Sequence, residues 1–244
     1  MGVEGTEGNV LSIQEVSEAI IHLTIATETR PKPGQFYLLR AWQEAPLLGR
    51  PISVFDYSEG KVEFVFKVVG KGTEILAKLK VNDKLQLQGP FGNGFPEAEG
   101  KILLIGGGLG NAPLHATAKA LKARGQEVDL RLGFAEKIYL EKEFKQAATN
   151  TQFVVGGLVT NGLTMEKYDA VFTCGPHPMM EAVVKMAHQA GIPSYVSIEK
   201  RMACGIGACL VCTCKTKSGN KKTCKDGPVF EGEEIFYEDK HQIS

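Results

Sequence analysis

CGIGACLVCTC, residues 204–214, places four of the chain's six cysteines in one short, glycine-containing stretch, and a further cysteine follows at Cys224. Cys204, Cys209 and Cys212 stand at Cys-x4-Cys-x2-Cys spacing, which is typical of plant-type [2Fe–2S] sites held by four thiolates. Gly205 and Gly207 lie between the first two cysteines, where a loop wrapped around a cluster needs positive φ angles. The stretch therefore predicts a ligand loop rather than a strand.

Other uses of the cysteines fit this spacing less well. A structural zinc site usually combines two separated Cys-x2-Cys pairs, whereas only Cys209 and Cys212 form such a pair here. Disulfides are typical of small secreted domains, and a chain of this length can build a core without them. Cys214 also follows closely enough to be the third ligand, but the Cys-x2-Cys step favours Cys212. Cys224 is then the predicted fourth ligand, and Cys174 lies outside the loop.

The composition excludes several classes of function. The 244 residues carry 28 basic and 28 acidic side chains, so no net field attracts nucleic acid or an anionic membrane. Apolar runs such as 102–105 are too short to span a bilayer, and the first residues lack the pattern of a secretory signal. We therefore expect a cytoplasmic protein, in a reduced compartment where thiolate ligands persist.

Residues 1–98 show the pattern of an antiparallel β-barrel. Short β segments alternate with turn signals such as PKPG from Pro31 and DYSEG from Asp56. One or two helical turns are predicted between Thr73 and Leu79, and GPFGNGFP from Gly89 predicts the linker out of the barrel. The predicted strands are VLSI from Val10, AIIHLTI from Ala19, QFYLLR from Gln35, PISVF from Pro51, KVEFVFKVV from Lys61 and KLQL from Lys84.

Residues 99–200 change to alternating strands and helices, which predicts an α/β domain with a parallel sheet and right-handed crossovers. The regular pattern stops after Ile198. Residues 201–244 are therefore predicted to form a third, small unit around the cysteine loop.

Two stretches of the α/β part predict a nicotinamide site. A [2Fe–2S] cluster takes one electron at a time and NADH gives two together, so the cluster implies a flavin that mediates between them. One stretch is a glycine loop between a strand and a helix, the context that binds a pyrophosphate, although it is not G-x-G-x-x-G. The other stretch lies at the carboxyl end of a second strand. The predicted NAD residues are Gly106, Gly108, Gly110, Cys174, Gly175 and Pro176.

Two stretches of the barrel part could hold the flavin. RPIS, residues 50–53, places a guanidinium and a hydroxyl a few residues apart, suited to a phosphate and to a flavin ring edge. Gly72 and Thr73 stand where a short helix begins, and Thr73 could cap it. Taken singly, each stretch is better explained as ordinary barrel structure.

The order of these motifs carries a resemblance. RPIS, Gly72 and Thr73, GPFGNGF, GGGLGNAP, CGP, MACGIGACLVC and DGPVF follow one another over nearly the whole chain. In this order the chain resembles the electron transfer subunits of NAD-dependent (type B) dihydroorotate dehydrogenases, which belong to the ferredoxin reductase-like flavoproteins.

The resemblance implies a path for electrons. Dihydroorotate would be oxidised at the FMN of a separate catalytic subunit, and electrons would pass through the [2Fe–2S] cluster and FAD of this chain to NAD+. A heterotetramer with two copies of each subunit is implied. The implied cluster ligands are Cys204, Cys209, Cys212 and Cys224. The implied FAD residues are Arg50, Pro51, Ile52, Ser53, Val65, Phe66, Lys67, Gly72 and Thr73.

Further expectations concern specificity, catalysis and docking. NAD is favoured over NADP because the second strand of the α/β part ends at GFAE, where Glu136 can bind a ribose hydroxyl. No side chain is predicted to be a catalytic acid or base, since no triad or metal spacing involves His22, His115, His177, His188 and His241. The surface around residues 204–224, with Val229 and Phe230, is expected to dock the partner.

Three alternatives remain open from the sequence. The chain could be a subunit of an NAD(P)H–ferredoxin oxidoreductase or hydrogenase-type complex, since such subunits share the same three-part plan. It could also be a stand-alone NADH oxidase or reductase. A metal-binding module without enzymatic activity is the third, and visible absorption by flavin and cluster separates it from the other two.

Overall fold

A computed structural model describes residues 5–236 of the chain. Its amino-terminal unit is a closed barrel of six antiparallel strands, in the order β1-β2-β5-β4-β3-β6. Every second side chain along a strand points into the barrel and fills its core, as Val62, Phe64 and Phe66 of β5 do. Val65 lies on the opposite face and is also buried, against the α/β unit. The strands are β1 Thr6–Ser17, β2 Ile20–Ala26, β3 Phe36–Arg40, β4 Arg50–Ser58, β5 Lys61–Lys67 and β6 Lys84–Phe91.

A short helix, α1 Lys71–Ala77, interrupts the barrel between β5 and β6 and begins two residues before the predicted position. Thr73 is therefore inside the first turn and is not the residue that precedes the helix. Its hydroxyl accepts hydrogen bonds from the N–H groups of Val69 and Gly70 and donates one to the Gly70 carbonyl oxygen. Thr73 thus fixes the entry into the helix from within.

The second unit is a six-stranded sheet in the order β14-β11-β10-β7-β8-β9, in which β7 to β11 run parallel. Helices α2 and α3 pack with the barrel-facing core, and α4 packs on the other face. The strands are β7 Lys101–Gly107, β8 Glu127–Phe134, β9 Asn150–Val155, β10 Ala170–Cys174 and β11 Ser194–Ser197. The helices are α2 Ala112–Ala123, α3 Glu141–Ala147 and α4 His177–Gln189.

The carboxyl-terminal segment is more regular than the sequence predicts. It forms a hairpin of β12 Thr213–Thr216 and β13 Gly219–Lys222, then β14 Val229–Glu231 and a last turn of helix, α5 Gly232–Ile235. Strand β14 pairs antiparallel with β11 at the edge of the sheet. The predicted fold class, a barrel followed by a parallel α/β unit and a small cysteine-bearing unit, is confirmed. The boundaries 1–98, 99–200 and 201–244 stay predictions, and β14 ties the third range to the second.

An aromatic contact joins the barrel to the α/β unit. The ring of His115 on α2 stacks on Phe55 of β4, with centroids 4.2 Å apart, and its Nδ1 lies 3.2 Å from the Phe55 carbonyl oxygen. Beside it Lys119 donates to the Asp56 carboxylate. Burial lowers the pKa of His115, so the ring is neutral in this contact.

Glu63 anchors the outer wall of the barrel through two strands. Its carboxylate lies 2.8 Å from His22 Nε2 on β2 and 2.8 Å from Lys61 Nζ on β5. The hydrogen bond with His22 is the main cause that lowers the pKa of Glu63 to about 2, against the opposing effect of burial. A carboxyl whose folded pKa is depressed stabilises the fold above its unfolded pKa and loses that contribution as the pH falls.

We expect Glu63→Gln to lower the stability of the chain at pH 7 by about 1 kcal/mol, since solvent screens part of the pair. The difference from wild type should shrink as the pH falls from 4.5 towards 2, the window between the ordinary and the folded pKa. Thermal unfolding followed at several pH values measures it. Glu59→Gln, in the exposed turn before β5, is the matched control. An unchanged gap between pH 7 and pH 3 would contradict the assignment.

Candidate cofactor sites

The loop between β11 and β12 turns backbone N–H groups towards Cys204. Gly205 and Gly207 adopt the left-handed φ values of +72° and +80°, and the N–H of Cys209 donates to Cys204 Sγ at 3.4 Å. Desolvation pushes the pKa of the Cys204 thiol upward, but N–H groups of Cys209, Ile206 and Ala208 outweigh it and lower the pKa to about 6. The loop therefore favours a thiolate at Cys204, the form that binds metal.

A second pair of cysteines meets on the barrel side of the loop. The Sγ atoms of Cys212 and Cys224 lie 3.2 Å apart, and both side chains are buried. The β12–β13 hairpin brings them together, since the N–H of Thr223 donates to the Cys212 carbonyl. Desolvation, and next the neighbouring Cys212, raise the pKa of Cys224 to about 12. Two thiolates so close and so buried need a positive charge between them, which a metal centre supplies.

The four predicted ligands thus form two pairs, Cys204 with Cys209 and Cys212 with Cys224. No group of three or more metal-ligating side chains converges on one point within residues 5–236. A two-iron cluster held by four thiolates needs two on each iron rather than one point of convergence. The two pairs fit such a cluster, and the ligand set remains a prediction.

Cys214 and Cys174 are placed apart from these pairs. Cys214 lies on β12, where its buried thiol donates to the Lys221 carbonyl oxygen at 3.6 Å. Cys174 is buried at the end of β10, and burial raises the pKa of its thiol. The preference for Cys212 over Cys214 as third ligand therefore agrees with the hydrogen bonding of the hairpin.

A groove of about 630 Å³ runs between the barrel, the α/β unit and the cysteine loop. We call it the cofactor groove. Its barrel wall contains six of the nine predicted FAD residues: Arg50, Pro51, Ile52, Ser53, Val65 and Phe66.

The remaining three predicted FAD residues lie outside this groove. Gly72 is in contact with the Arg50 side chain, since a Cβ on Gly72 would lie 2.2 Å from Arg50 Nε. Thr73 is buried and its hydroxyl bonds to the backbone of Val69 and Gly70, just before α1. Lys67 is exposed at the end of β5. Arg50 therefore connects the groove to the start of α1, and the phosphate contact expected of its guanidinium stays a prediction.

The opposite wall of the groove was not predicted from the sequence. It comes from Leu109 and Ala112 at the glycine loop, from Ser197 at the end of β11 and residues 198–202 after it, and from Val211 of the cysteine loop. The position of residues 198–202 directly after a parallel strand is a signal that sequence reasoning could have used, because ligands bind at the carboxyl ends of such strands.

The two predicted NAD loops touch each other at the carboxyl edge of the sheet. A Cβ on Gly110 would lie 2.3 Å from the Cys174 carbonyl oxygen, and one on Gly175 would lie 2.9 Å from the Gly107 carbonyl oxygen. The glycine at Gly110 is thus required by the packing of one loop on the other. Gly106 is likewise confined, by Asn111.

Gly108 is the glycine of this loop that faces open space. Its φ is +60°, and no atom lies near a Cβ built there. The Tyr139 hydroxyl donates to the Gly108 carbonyl oxygen at 2.9 Å and holds the loop in place. A short 3-10 turn, Gly108–Asn111, separates the loop from α2. A dinucleotide phosphate can therefore approach at Gly108, while Gly106 and Gly110 shape the loop behind it.

The four histidines within residues 5–236 all make contacts with neighbouring side chains. His22 contacts Glu63, His115 stacks on Phe55, and His188 Nδ1 lies 2.6 Å from Glu233. His177 packs edge-on against Phe236, and His241 lies outside the described residues. No helix within residues 5–236 has the length and apolarity needed to cross a membrane.

Residues 199–236 match the family described as the iron-sulfur cluster binding domain of dihydroorotate dehydrogenase B. Over 236 residues the chain is 47% identical to the dihydroorotate dehydrogenase B (NAD(+)) electron transfer subunit of Clostridium acetobutylicum, covering 92% of this chain and 94% of that protein. The subunit of the same name from Clostridium perfringens is 42% identical, over 97% of this chain and 100% of that protein.

Solved structures show a related arrangement. A chain of the NADH-dependent reduced ferredoxin-NADP oxidoreductase superposes with a TM-score of 0.84 at 30% identity, covering 93% of this chain and 89% of that one. The ferredoxin reductase in carbazole 1,9a-dioxygenase superposes with a TM-score of 0.66 at 23% identity, over 78% and 67% of the two chains, which shows the fold alone.

The pairing of the cysteines predicts different outcomes for neighbouring substitutions. Cys212→Ser should abolish binding of the cluster, because it leaves Cys224 without its partner on one side. Cys214→Ser should retain the iron and sulfide of wild type, since Cys214 bonds to the Lys221 carbonyl instead. Iron and sulfide analysis with visible spectra of anaerobically purified variants measures both. Loss of iron in Cys214→Ser together with retention in Cys212→Ser would reverse the ligand set.

Proposed function

Because the chain belongs to the family of dihydroorotate dehydrogenase B (NAD(+)) electron transfer subunits, we propose that it carries electrons between a dihydroorotate-oxidising catalytic subunit and NAD+. The cofactors of this path are a [2Fe–2S] cluster and FAD on this chain and FMN on the partner. The observation that carries the proposal is that the cysteine loop is itself a wall of the cofactor groove, through Met202 and Val211. The proposed one-electron site and the proposed flavin site therefore adjoin.

The two groups have complementary chemistry when bound, since FAD exchanges electrons in pairs with NAD(H) and singly with an iron-sulfur cluster. The chain contributes binding and orientation. Arg50, which lies across Gly72, would bind the FAD pyrophosphate, and Ser53 on the same strand would bind the ring edge. Backbone N–H groups around Cys204 would stabilise negative charge on the thiolate and so set the cluster's potential.

The nicotinamide dinucleotide would bind across the two loops that meet at the sheet edge. Gly108 leaves room for its pyrophosphate, and the loop 174–176 lies directly beside it. Glu136 is exposed after β8, where an acidic residue can accept hydrogen bonds from a ribose hydroxyl. These features support NAD as the dinucleotide.

The partner would dock on the outer face of the cysteine loop. Ile206 and Leu210 expose 42% and 61% of their surface there. Exposed apolar residues next to a redox site suit a stable interface. Of the two further residues expected on this face, Val229 is buried and Phe230 packs beside α4 and α5. The proposed docking face is therefore the loop itself, and the proposed complex is a heterotetramer with two copies of each subunit.

A second candidate function is that of a subunit in an NAD(P)H–ferredoxin oxidoreductase. The TM-score of 0.84 with a chain of such an enzyme favours it. Its electron partner would be a soluble ferredoxin instead of a dihydroorotate-oxidising subunit, so the electron donor separates the two functions.

The proposed function is tested with the chain co-purified anaerobically with a dihydroorotate dehydrogenase B catalytic subunit. The complex should reduce NAD+ with dihydroorotate, and the catalytic subunit alone should not, because the path to NAD+ lies on this chain. Absorption at 340 nm measures NADH, and visible spectra measure flavin and cluster. Reduction of ferredoxin by the chain with NADPH, without NAD+ reduction by the complex, would favour the second candidate.

The docking face is tested with Leu210→Asp. Leu210 has a left-handed φ of +61°, which Asp adopts more readily than Leu, so the backbone of the loop should persist. A charge in an apolar interface should lower the affinity for the catalytic subunit at least about tenfold, and less of the variant should co-elute with that subunit. Size-exclusion chromatography and titration calorimetry measure this.

Val81→Asp is the matched control for docking, since Val81 exposes 54% of its surface on the barrel, before β6. This variant should co-elute as wild type does. Equal flavin and iron contents in both variants show that the chain is intact. Unchanged affinity of Leu210→Asp would remove the cysteine loop from the interface.

A further inference from the structure

Glu199 is the carboxylate of the cofactor groove, and it belongs to a second cavity as well. It is the one acidic residue among those that line the groove in the described part of the chain. With Ile198 and Lys200 it also lines a side cavity of about 350 Å³ between α4 and the β12–β13 hairpin. The segment directly after β11 is thus a thin partition between the two spaces.

The carboxyl of Glu199 has no partner that would explain its position. Its side chain is exposed along the two cavities that it lines, and desolvation by the surrounding units is the cause that raises its pKa. Neither a hydrogen-bond donor nor a cation offsets this effect within residues 5–236. An acid in a cleft whose pKa is raised by desolvation is a candidate functional group.

The proposed reaction requires a proton at this place. Formation of NADH follows NAD+ + 2 e⁻ + H⁺ → NADH, whereas the cluster delivers electrons without protons. One proton must therefore enter the groove from solvent for every NADH formed, and one must leave when NADH is oxidised. A proton carrier at the groove wall, with its own route to solvent, meets this requirement.

We propose that Glu199 is the proton relay of the cofactor groove, exchanging one proton per hydride between the groove and solvent in the side cavity. This inference rests on the proposed function and deepens it. During NADH oxidation the Glu199 carboxylate accepts a proton from the groove and becomes a carboxylic acid. The acid then releases the proton to water in the side cavity. The charged and titratable groups around it are Arg50, Lys200 and Arg201 in the groove, His177, Lys200, Cys214 and Lys215 in the side cavity, and Cys174 at the end of β10, whose pKa is raised by burial and also by the Glu199 charge.

The relay predicts a defined pH dependence for NADH oxidation. A carboxyl with a raised pKa loses its basic form at a higher pH than an ordinary glutamate, so the rate should fall on the acidic side of neutrality. Glu199→Gln keeps size and hydrogen bonding but cannot carry the proton. It should lower kcat at least about tenfold at neutral pH, remove the acid limb and leave KM for NADH within about twofold.

The experiment uses the purified chain with FAD and cluster, NADH as donor and ferricyanide as one-electron acceptor, between pH 5.5 and 9. A second readout does not depend on turnover. Infrared difference spectra between these pH values should show a carboxylic acid C=O band that titrates above 4.5, the ordinary pKa of glutamate. The band should be absent in Glu199→Gln. Glu141→Gln, an exposed residue of α3, should match wild type in both readouts.

Each result decides between the relay and its rivals. An acid limb and infrared band that persist in Glu199→Gln overturn the relay, as does a change confined to KM, which would mark a dinucleotide contact instead. If Glu199→Gln binds no flavin, Glu199→Asp replaces it and should keep the acid limb with a lower kcat, and loss of the limb overturns the relay. Wild-type chain that is not reduced by NADH refutes the proposed function, independently of Glu199.

Discussion

The packing of the cysteine loop on the barrel is the contact on which the rest of the site depends. A Cβ on Gly205 would lie 2.7 Å from the ring of Phe91, so only glycine allows the loop to lie flat on that ring. Phe91 in turn contacts Phe36, with centroids 5.7 Å apart, and both rings are buried. Burial of each ring contributes about 1.5–3 kcal/mol. The loop and the barrel are therefore held as one body around the cofactor groove.

Strand β3 explains how one barrel serves two neighbours. Tyr37 and Leu39 point into the barrel core, while Phe36 and Leu38 point outward and pack with Cys212 and Cys224. Because successive side chains face opposite sides of a strand, burial on both faces requires an unbroken apolar run, and FYLL is one. The same strand thus contributes side chains to the barrel core and forms the apolar surface on which the buried cysteine pair packs.

Local patterns predicted much of this architecture, and non-local pairing accounts for what they missed. The cysteine spacing, the alternation in segments such as KVEFVFK and the glycine loop are local signals, and the fold class follows from them. Strand β14 is only three residues long and exists because β11 offers it an open edge. The role of Gly110 likewise depends on the Cys174 carbonyl, which lies far along the chain. Neither periodicity nor composition records such contacts, and Glu199 stands out only once two cavities are seen to share it.

The two cysteine pairs give the cluster site two unlike ends. Cys212 and Cys224 are buried against Phe36 and Phe91, on the side of the barrel, whereas Cys209 is exposed beside Leu210. N–H groups of the loop stabilise negative charge on Cys204. In the buried pair the Cys224 N–H also donates to Cys212 Sγ, but desolvation raises the pKa of Cys224. With a cluster bound, the outer ligands would lie next to solvent and the inner ligands would lie in the core between loop and barrel. A partner docked on the loop would desolvate the outer ligands and leave the surroundings of Cys212 and Cys224 unchanged, so the two ends of the site would respond differently to docking.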